Sequence, residues 1–417
     1  MNYNKENADK IDEYLKNNPS ARKLAVDDPC VSDENITLKE KEMKIVTYKI
    51  PLVGDDGKPL IFHNVKNGRY ADEYLELKTQ LDPDTDPDEW DLDATNETDA
   101  SQIRDMLKNV DPNAYAKMIS KLQADGQKYP GIMSHDGYVY NANRRLAVLH
   151  ELSQNDEKYG FLRVIRLPKE VDGKPVLPED LYPVELDCQM GDDLKLDYTP
   201  INKILTIVRG KKLGYTDAQI ADRITVDEDD IRHELKIYAL MKQALEEHGT
   251  PNEFKLLRDK YSYFDDMLKQ LLSDKRKSQY EPVDLVDAQR IAFKLLWVKE
   301  FAHKDYRHFP EIMKEDRIKQ NFLDVAKINE DTGEEYDAES TYEAFTRACS
   351  RVKDVKDSYK PQKLLISIKD GFETLNEILD SNALLKKPNC IRIINEILGL
   401  TKNLEDFRDK NDGEIQQ

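Results

Sequence analysis

Apolar and polar residues alternate in short runs through the first half of the chain, and this period of two is typical of β-strands. The clearest runs cover residues 44–50, 138–140 and 162–167. Glycine-containing turns lie beside them, at Gly57 and Gly137 among other positions. The pattern predicts a small mixed sheet between residues 44 and 170, with Val139 and Ile165 in its core.

Helical spacing, with apolar residues at every third or fourth position, appears around these runs and dominates after residue 200. Two helices are predicted on either side of Asp111-Pro112, and the second is expected to end at Gly126. Another begins after the 138–140 run. The sequence therefore predicts an α+β fold in which a small mixed-sheet domain is followed by two helical domains.

Composition and pattern divide the chain into four predicted parts. They are a polar N-terminal arm at 1–40, a sheet domain at 41–184, a helix-turn-helix-like domain at 185–250 and a C-terminal helical domain at 251–417. An acidic insertion at 81–100 interrupts the second part. It carries nine acidic residues and no basic one between Asp82 and Asp99, which predicts a solvated loop.

Two apolar stripes lie beyond Pro361 and predict a helical hairpin. One contains Leu365, Ile368, Phe372, Leu375 and Ile378, and the other contains Ile391, Ile394, Leu398 and Leu404. Two interpretations remain open for these stripes. They are buried within the C-terminal bundle, or they form a seam with a protein partner or with a second copy of the chain.

The charge of −19 and the isoelectric point near 5.0 argue against a general nucleic-acid or membrane-binding surface. No apolar run approaches the length that spans a bilayer, and the N-terminus lacks the apolar core of a secretory signal, so we expect a cytoplasmic protein. The four cysteines are far apart and form no C-x-x-C pair. We therefore expect neither a redox motif nor a structural metal.

Paired arginines at a predicted helix start form the first candidate site. Asn141, Ala142 and Asn143 lead from the 138–140 strand into a helix whose first turn carries Arg144 and Arg145. Cations are unfavourable at a helix N-terminus unless an anion is also bound there. Backbone N–H groups and guanidinium groups together predict a phosphate cradle, while the alternative is that both arginines form ion pairs with carboxylates of this acidic chain.

The order of motifs from Met118 to Ile165 resembles the amino-terminal domain of the ParB/sulfiredoxin superfamily. That domain has a "G-x-x-x-P-I" strand, a "D-G" hairpin and a "G-x-R-R-x-x-A" box before a further short strand. The corresponding residues are Gly126-Gln-Lys-Tyr-Pro-Gly-Ile132, Asp136-Gly137, Ala142-Asn-Arg-Arg-Leu-Ala147 and Leu162-Arg-Val-Ile165. Ala142 replaces the usual glycine of the box, which restricts how closely the backbone can approach a ligand.

The resemblance implies a ParB-like fold that binds a nucleoside triphosphate, CTP or ATP, with Mg²⁺. Arg69 occupies the place of an early arginine that approaches the same pocket, although a solvent-facing surface role is equally open. The family's "E-N-x-x-R" motif is absent, so Asp192 and Asp193 are the candidates for the Mg²⁺ ligands. The resemblance further implies a regulatory protein of a plasmid, phage or phage-defence system.

Two other functions compete with this one. The first is an NTPase, phosphotransferase or nuclease on the same fold, whose base would be Asp136, Glu185 or Asp187. Sulfiredoxin chemistry is excluded, because Asn143 stands where that activity needs a cysteine. The second is a structural protein whose domain has lost its ligand.

The helix-turn-helix-like pattern is centred on residues 214–241. Thr216 and Gln219 match a capping box, and Ile220, Ala221 and Ile224 are expected to be buried. Four acidic residues, 227–230, precede the second helix where a DNA reader would place polar or basic side chains. The sequence therefore favours a protein partner over sequence-specific DNA binding, and we expect any DNA binding to be weak.

Overall fold

The computed structural model describes most of the chain, in segments separated by short gaps. The described residues are 3–21, 35–44, 46–81, 91–189, 199–327, 335–358, 361–379, 385 and 388–411. They belong to two compact units, Met1–Phe309 and Pro310–Gln417. The predicted acidic loop lies mostly outside the described residues, as do Asp192 and Asp193. Among the described helices, none is both long and apolar enough to cross a membrane.

A mixed five-stranded sheet organises the first unit, which confirms the predicted α+β class with a small sheet. Its strands are β3 (Thr47–Pro51), β4 (Phe62–His63), β5 (Gly131–Met133), β6 (Tyr138–Asn141) and β7 (Phe161–Arg166), in the spatial order β3-β7-β5-β6-β4. The β3–β7 and β5–β6 pairs are antiparallel, and the β5–β7 and β4–β6 pairs are parallel. The 44–50 run does not form one strand, because Lys44 ends an earlier strand and β3 begins at Thr47.

Successive side chains of a strand point to opposite faces of the sheet, and apolar residues are buried on both faces. Val139 and Val164 belong to one core, while Tyr140 and Ile165 belong to the other. Val139 and Ile165 are both buried, as predicted. The helices beside the sheet are α2 (Ala71–Leu81), α3 (Glu97–Asn109), α4 (Pro112–Asp125) and α5 (Asn143–Ser153).

The N-terminal helix α1 (Lys5–Asn17) belongs to the sheet core and is not the loosely packed arm that the polar composition suggested. Ile11 and Leu15 are buried with Val139 in one apolar cluster. The buried Asn7 side chain donates to the carbonyl oxygens of Leu60 and Asp136, at 3.0 and 2.8 Å. Composition obscured this role because only one narrow face of the helix is apolar.

Two short hairpins lie outside the main sheet. They are formed by β1 (Asn35–Leu38) with β2 (Lys41–Lys44), and by β8 (Glu170–Val171) with β9 (Lys174–Pro175). Leu38 and Val171 pack in the same core as Ile165. The second hairpin turns at Asp172-Gly173, where both residues have positive φ.

A helical region follows the sheet within the first unit. It contains α6 (Tyr182–Gln189), α7 (Pro200–Lys212), α8 (Asp217–Ile224) and α9 (Glu228–Glu247). The Thr216 hydroxyl accepts from the backbone N–H of Gln219, whose side chain accepts from the N–H of Thr216, so the predicted capping box is confirmed. Ile220, Ala221 and Ile224 are buried, as predicted.

The remaining described residues are mostly helical, in agreement with the predicted class. The helices are α10 (Tyr261–Met267), α11 (Asp274–Lys277), α12 (Pro282–Leu295), α13 (Phe309–Ile312), α14 (Asp316–Leu323), α15 (Ala338–Ser358), α16 (Pro361–Ile378) and α17 (Pro388–Asn411). A π-helical turn, Leu268–Leu272, continues α10. Residues up to Phe309 belong to one compact unit. The predicted domain boundary between residues 250 and 251 remains a prediction.

Candidate functional site

The turn between β6 and α5 is built around a left-handed residue. Asn141 ends the strand, and Ala142 has φ of 88° and ψ of 21° before the helix begins at Asn143. A Cβ atom placed on the neighbouring Gly131 would lie 2.9 Å from the Asn141 carbonyl oxygen and 3.0 Å from the Ala142 Cβ. Ala142 thus adopts a conformation that glycine enters more easily, at the position where the resembling family carries glycine.

The side chain of Asn143 is committed to internal hydrogen bonds. Its Nδ2 donates to the Val139 carbonyl oxygen at 2.8 Å, and its Oδ1 accepts from the backbone N–H of Asn64 at 3.0 Å. The Nδ1 atom of His63 lies 3.3 Å from the same Oδ1. Asn143 therefore positions the segment after β4 against the start of α5, and its amide is not turned towards a ligand.

Arg144 and Arg145 occupy the first turn of α5, as the spacing predicts, but in different surroundings. Arg144 is only 4% exposed, whereas Arg145 is partly exposed and donates to the Tyr129 carbonyl oxygen. Arg144 is therefore largely removed from solvent, although the predicted phosphate cradle includes both arginines. Arg145 is the better candidate for contact with a ligand.

Arg69 lies in a 3-10 turn, Gly68–Tyr70. This turn directly follows residues 64–67, which we call the Asn64 segment. Its carbonyl oxygen accepts from Asn202 Nδ2 of α7 at 2.8 Å. The Tyr70 hydroxyl donates to the Asn64 carbonyl oxygen at 2.5 Å and closes the segment on itself. The structure thus brings the Arg69 segment beside the box, since Asn64 is bonded to both Tyr70 and Asn143.

Glu185 is the one of the three candidate carboxylates that the structure places near these residues. It is 1% exposed, and its Oε2 accepts from Arg209 Nη2 at 2.5 Å and from Asn64 Nδ2 at 3.3 Å. Its Oε1 accepts from the backbone N–H of Gly68 at 3.3 Å. Glu185 therefore joins Arg209 of α7 to Asn64 and Gly68 through three hydrogen bonds, which suits it to positioning its neighbours.

The other two carboxylates lie elsewhere. Asp136 is in the β5–β6 turn, where it accepts from the Ser134 hydroxyl at 2.6 Å and from the Asn4 backbone N–H at 2.8 Å. That turn is at the end of β6 opposite Ala142, about 15–20 Å away at 3.3 Å per residue. Asp187 forms an ion pair of 2.7 Å with Arg223 of α8, and burial raises its pKa against the opposing effect of that arginine.

The proposed Mg²⁺ ligands, Asp192 and Asp193, lie outside the described residues. Among the side chains that the structure does describe, no cluster of three or more His, Cys, Asp or Glu residues is arranged to hold a metal ion.

A cleft of about 1020 Å³ in the first unit begins at Asn64 and Tyr140 and extends to α7 and α9. Five basic residues line it against three acidic ones: Lys66, Lys78, Arg209, Lys212 and Lys242 against Asp91, Glu179 and Glu246. The lining therefore carries a surplus of two positive charges in a chain of net charge −19, with Lys66 and Lys78 both close to Asp91 and Lys242 close to Glu246. We call this cavity the basic cleft.

Arg209 connects the basic cleft with the Asn64 segment. It donates to Glu185 and to the Lys66 carbonyl oxygen, and its guanidinium carbon lies 5.1 Å from the centre of the Tyr182 ring. Burial raises the pKa of Tyr140, the Glu185 charge raises it further, and Arg209 acts in the opposite direction. Tyr140 therefore remains a neutral phenol at the edge of the cleft.

Aromatic rings line the other end of the basic cleft. Tyr238 of α9 and Phe254 stack with 5.5 Å between their ring centres and 8° between their planes. Tyr74 lines the cleft as well. Cationic groups can pair with an anion and aromatic rings can stack on a flat ring, so a cavity with both suits a ligand that carries both.

The sequence predicted the arginine box but not the basic side chains that line the cleft. Lys66, Arg209 and Lys242 are far apart in the chain, and no local pattern joins them. The only available signal was the basic end of α7, where Arg209, Lys211 and Lys212 follow one another closely.

Comparisons of the chain with protein-family models, with curated proteins and with solved structures produced no match.

Proposed function

We propose that this protein is a ParB-like regulatory protein that binds a phosphate-bearing ligand, a nucleoside triphosphate with Mg²⁺, next to its arginine box. The observation that carries the proposal is the basic cleft, an excess of cations around one cavity in a strongly acidic protein. Phosphate groups are recognised by such converging cations together with N–H and O–H donors.

Asn64 joins the box to the cleft in this proposal. Its backbone N–H is bonded to Asn143 of α5, its side chain is bonded to Glu185, and it also lines the cleft. A ligand seated against Asn64 and Arg209 would thus contact a residue that is hydrogen-bonded to Asn143, the first residue of α5. Neither arginine of the box lines the cleft, and Arg145, the more exposed of the two, is the one we expect to turn towards the ligand.

The regulatory part of the proposal rests on what else lines the cleft. Its walls come from the segment after β4, from α2, and from α7 and α9, so a ligand touches the sheet and the helix-turn-helix-like helices together. Binding to such a boundary stabilises one arrangement of these elements, which is how a ligand alters the binding of a second partner. We favour binding over catalysis because the nearby carboxylate, Glu185, is already bonded to three donors.

The test is a thermal-shift screen with CTP, ATP, their diphosphates and inorganic phosphate, each with and without Mg²⁺. A ligand at a hundredfold its Kd should stabilise the fold by about 2.7 kcal/mol. The proposal fails if no phosphate compound raises the melting temperature.

Two exposed lysines of α9 provide the matched variants. Lys242→Glu reverses a charge in the cleft, whereas Lys236→Glu makes the same change on the same helix outside it. We expect Lys242→Glu to weaken the ligand about tenfold, roughly 1.4 kcal/mol, and Lys236→Glu to have little effect. Arg145→Ala then tests the box, and unchanged affinity in that variant would place the ligand in the cleft alone.

A further inference from the structure

Two helices of the second unit carry continuous apolar seams on their exposed sides. The first seam, on α16 and its C-terminal end, consists of Leu365, Ile368, Phe372, Leu375 and Leu379. The second, on α17, consists of Ile393, Ile397, Leu400, Leu404 and Phe407. In both, the intervals alternate between three and four residues, which is the repeat of helices that pack side by side with others.

Most of these side chains are exposed to a degree that is unusual for their type, while Leu375 and Ile397 are half-buried. Leu365 is 56% exposed, Leu400 64% and Phe407 67%. A groove of about 580 Å³ follows the first seam, and among the described residues it is lined by α16 and Leu379. Contiguous apolar surface of this extent marks an interaction site in a folded protein.

The charges around the seams differ from those of the rest of the molecule. In α16 there are two basic and three acidic residues, and in α17 there are four of each, so the two helices together carry −1 of the chain's −19. Some of these charges are also paired within their own helix, as in Lys369 with Glu373 at 3.4 Å. Two copies of the chain would repel one another over most of their surface but can approach here.

We propose that a second copy of this chain covers the seams, so that α16 and α17 of two protomers form one helical bundle. A neutral, apolar surface with heptad spacing carries no charge pattern that would select a basic or acidic partner. An identical surface from a second copy has the matching seam, and two-fold association pairs each seam with its equivalent. This inference is independent of the proposed ligand.

The experiment measures the mass of the full-length protein by sedimentation equilibrium at micromolar concentration without ligand. We expect at least twice the single-chain mass of 48.4 kDa. Leu400→Lys with Leu404→Lys places two charges in the second seam and should raise the dissociation constant at least a hundredfold. Asn395→Lys with Asn403→Lys adds the same charges to exposed polar positions of α17 and should leave the mass unchanged.

Leu365→Lys with Phe372→Lys repeats the test on α16, and melting curves check that each variant remains folded. The proposal is overturned if the wild-type protein sediments as a single chain, as it would if only a different protein covers the seams. It is also overturned if folded seam variants of both helices keep the wild-type mass.

Discussion

Asn143 shows how one buried side chain determines the geometry of the candidate site. Its amide bonds the end of β6 on one side and the backbone of Asn64 on the other. Turning that amide towards a ligand would leave buried partners unsatisfied, at a cost of about 1–3 kcal/mol for each. We therefore assign Asn143 a positioning role and look to Arg145 and Arg209 for contact with an anion.

His63, beside Asn143, should make the stability of the fold depend on pH. Burial lowers the pKa of His63 to about 3, and the Arg104 charge acts in the same direction. An unfolded histidine titrates near pH 6.5, so below that pH the unfolded chain takes up a proton that the folded chain does not. The free energy of unfolding should therefore fall as the pH falls, by about 2 kcal/mol at pH 5 from this residue.

Urea unfolding of the wild-type protein and of His63→Gln between pH 7 and 5 measures this effect. The variant is expected to be less stable at pH 7 but to lose less stability on acidification. Parallel pH profiles for the two proteins would show that His63 does not cause the dependence.

The four acidic residues 227–230 stabilise the start of α9. The Asp230 carboxylate accepts from the backbone N–H of Asp227 at 3.1 Å, while Arg232 donates to Glu228 at 2.6 Å and to Asp229 at 2.5 Å. Asp227 and Asp230 therefore cap the helix, and the other two acids are exposed beside an arginine. The cluster of carboxylates at the start of α9 repels the phosphates of the DNA backbone.

Replacing the two acids that do not cap α9 should raise non-specific affinity for DNA. We expect Glu228→Lys with Asp229→Lys to bind a short duplex about tenfold more tightly than wild type at low salt, and to lose that gain as salt rises. Fluorescence anisotropy with a labelled duplex measures it. Asp9→Lys with Glu13→Lys, on the exposed side of α1, gives the same change in net charge at a different place. Nanomolar, sequence-specific binding by the wild type at physiological salt would contradict our interpretation of this element.

At the scale of the whole molecule, the described residues fall into two compact units, and the apolar cluster around Val139 lies within the first. Val139 lies in the core of the first unit and is fully buried, so an aspartate there would place an unpaired charge among apolar side chains. Val139→Asp should cost about 4 kcal/mol or more and unfold residues 1–309. Val286→Asp, at a position that is 52% exposed on α12, should be nearly neutral.

Hydrogen exchange measured by mass spectrometry can show which unit is unfolded by Val139→Asp. Peptides from β6 and β7 should lose protection in Val139→Asp, while peptides from α14 and α15, in the second unit, should retain it. Loss of protection in both sets would show that the two units unfold as one.

Much of the fold could be predicted because its signals are local. The Thr216–Gln219 capping box, the helix break at Asp111-Pro112 and the strand at 138–140 each depend on residues within a few positions of one another. Short-range hydrogen bonds and backbone preferences specify such features directly. The same holds for the position of Arg144 and Arg145 in the first turn of α5.

Tertiary structure alone decided which of these residues share a site. It buried Arg144 and left Arg145 partly exposed, placed Asp136 and Glu185 in different regions, and assembled the basic cleft from side chains far apart in the chain. No period or motif carries this information, because contacts across long sequence separations depend on how whole elements pack. For the same reason the polar α1 proved to be part of the core, whereas the apolar stripes of α16 and α17 remained exposed.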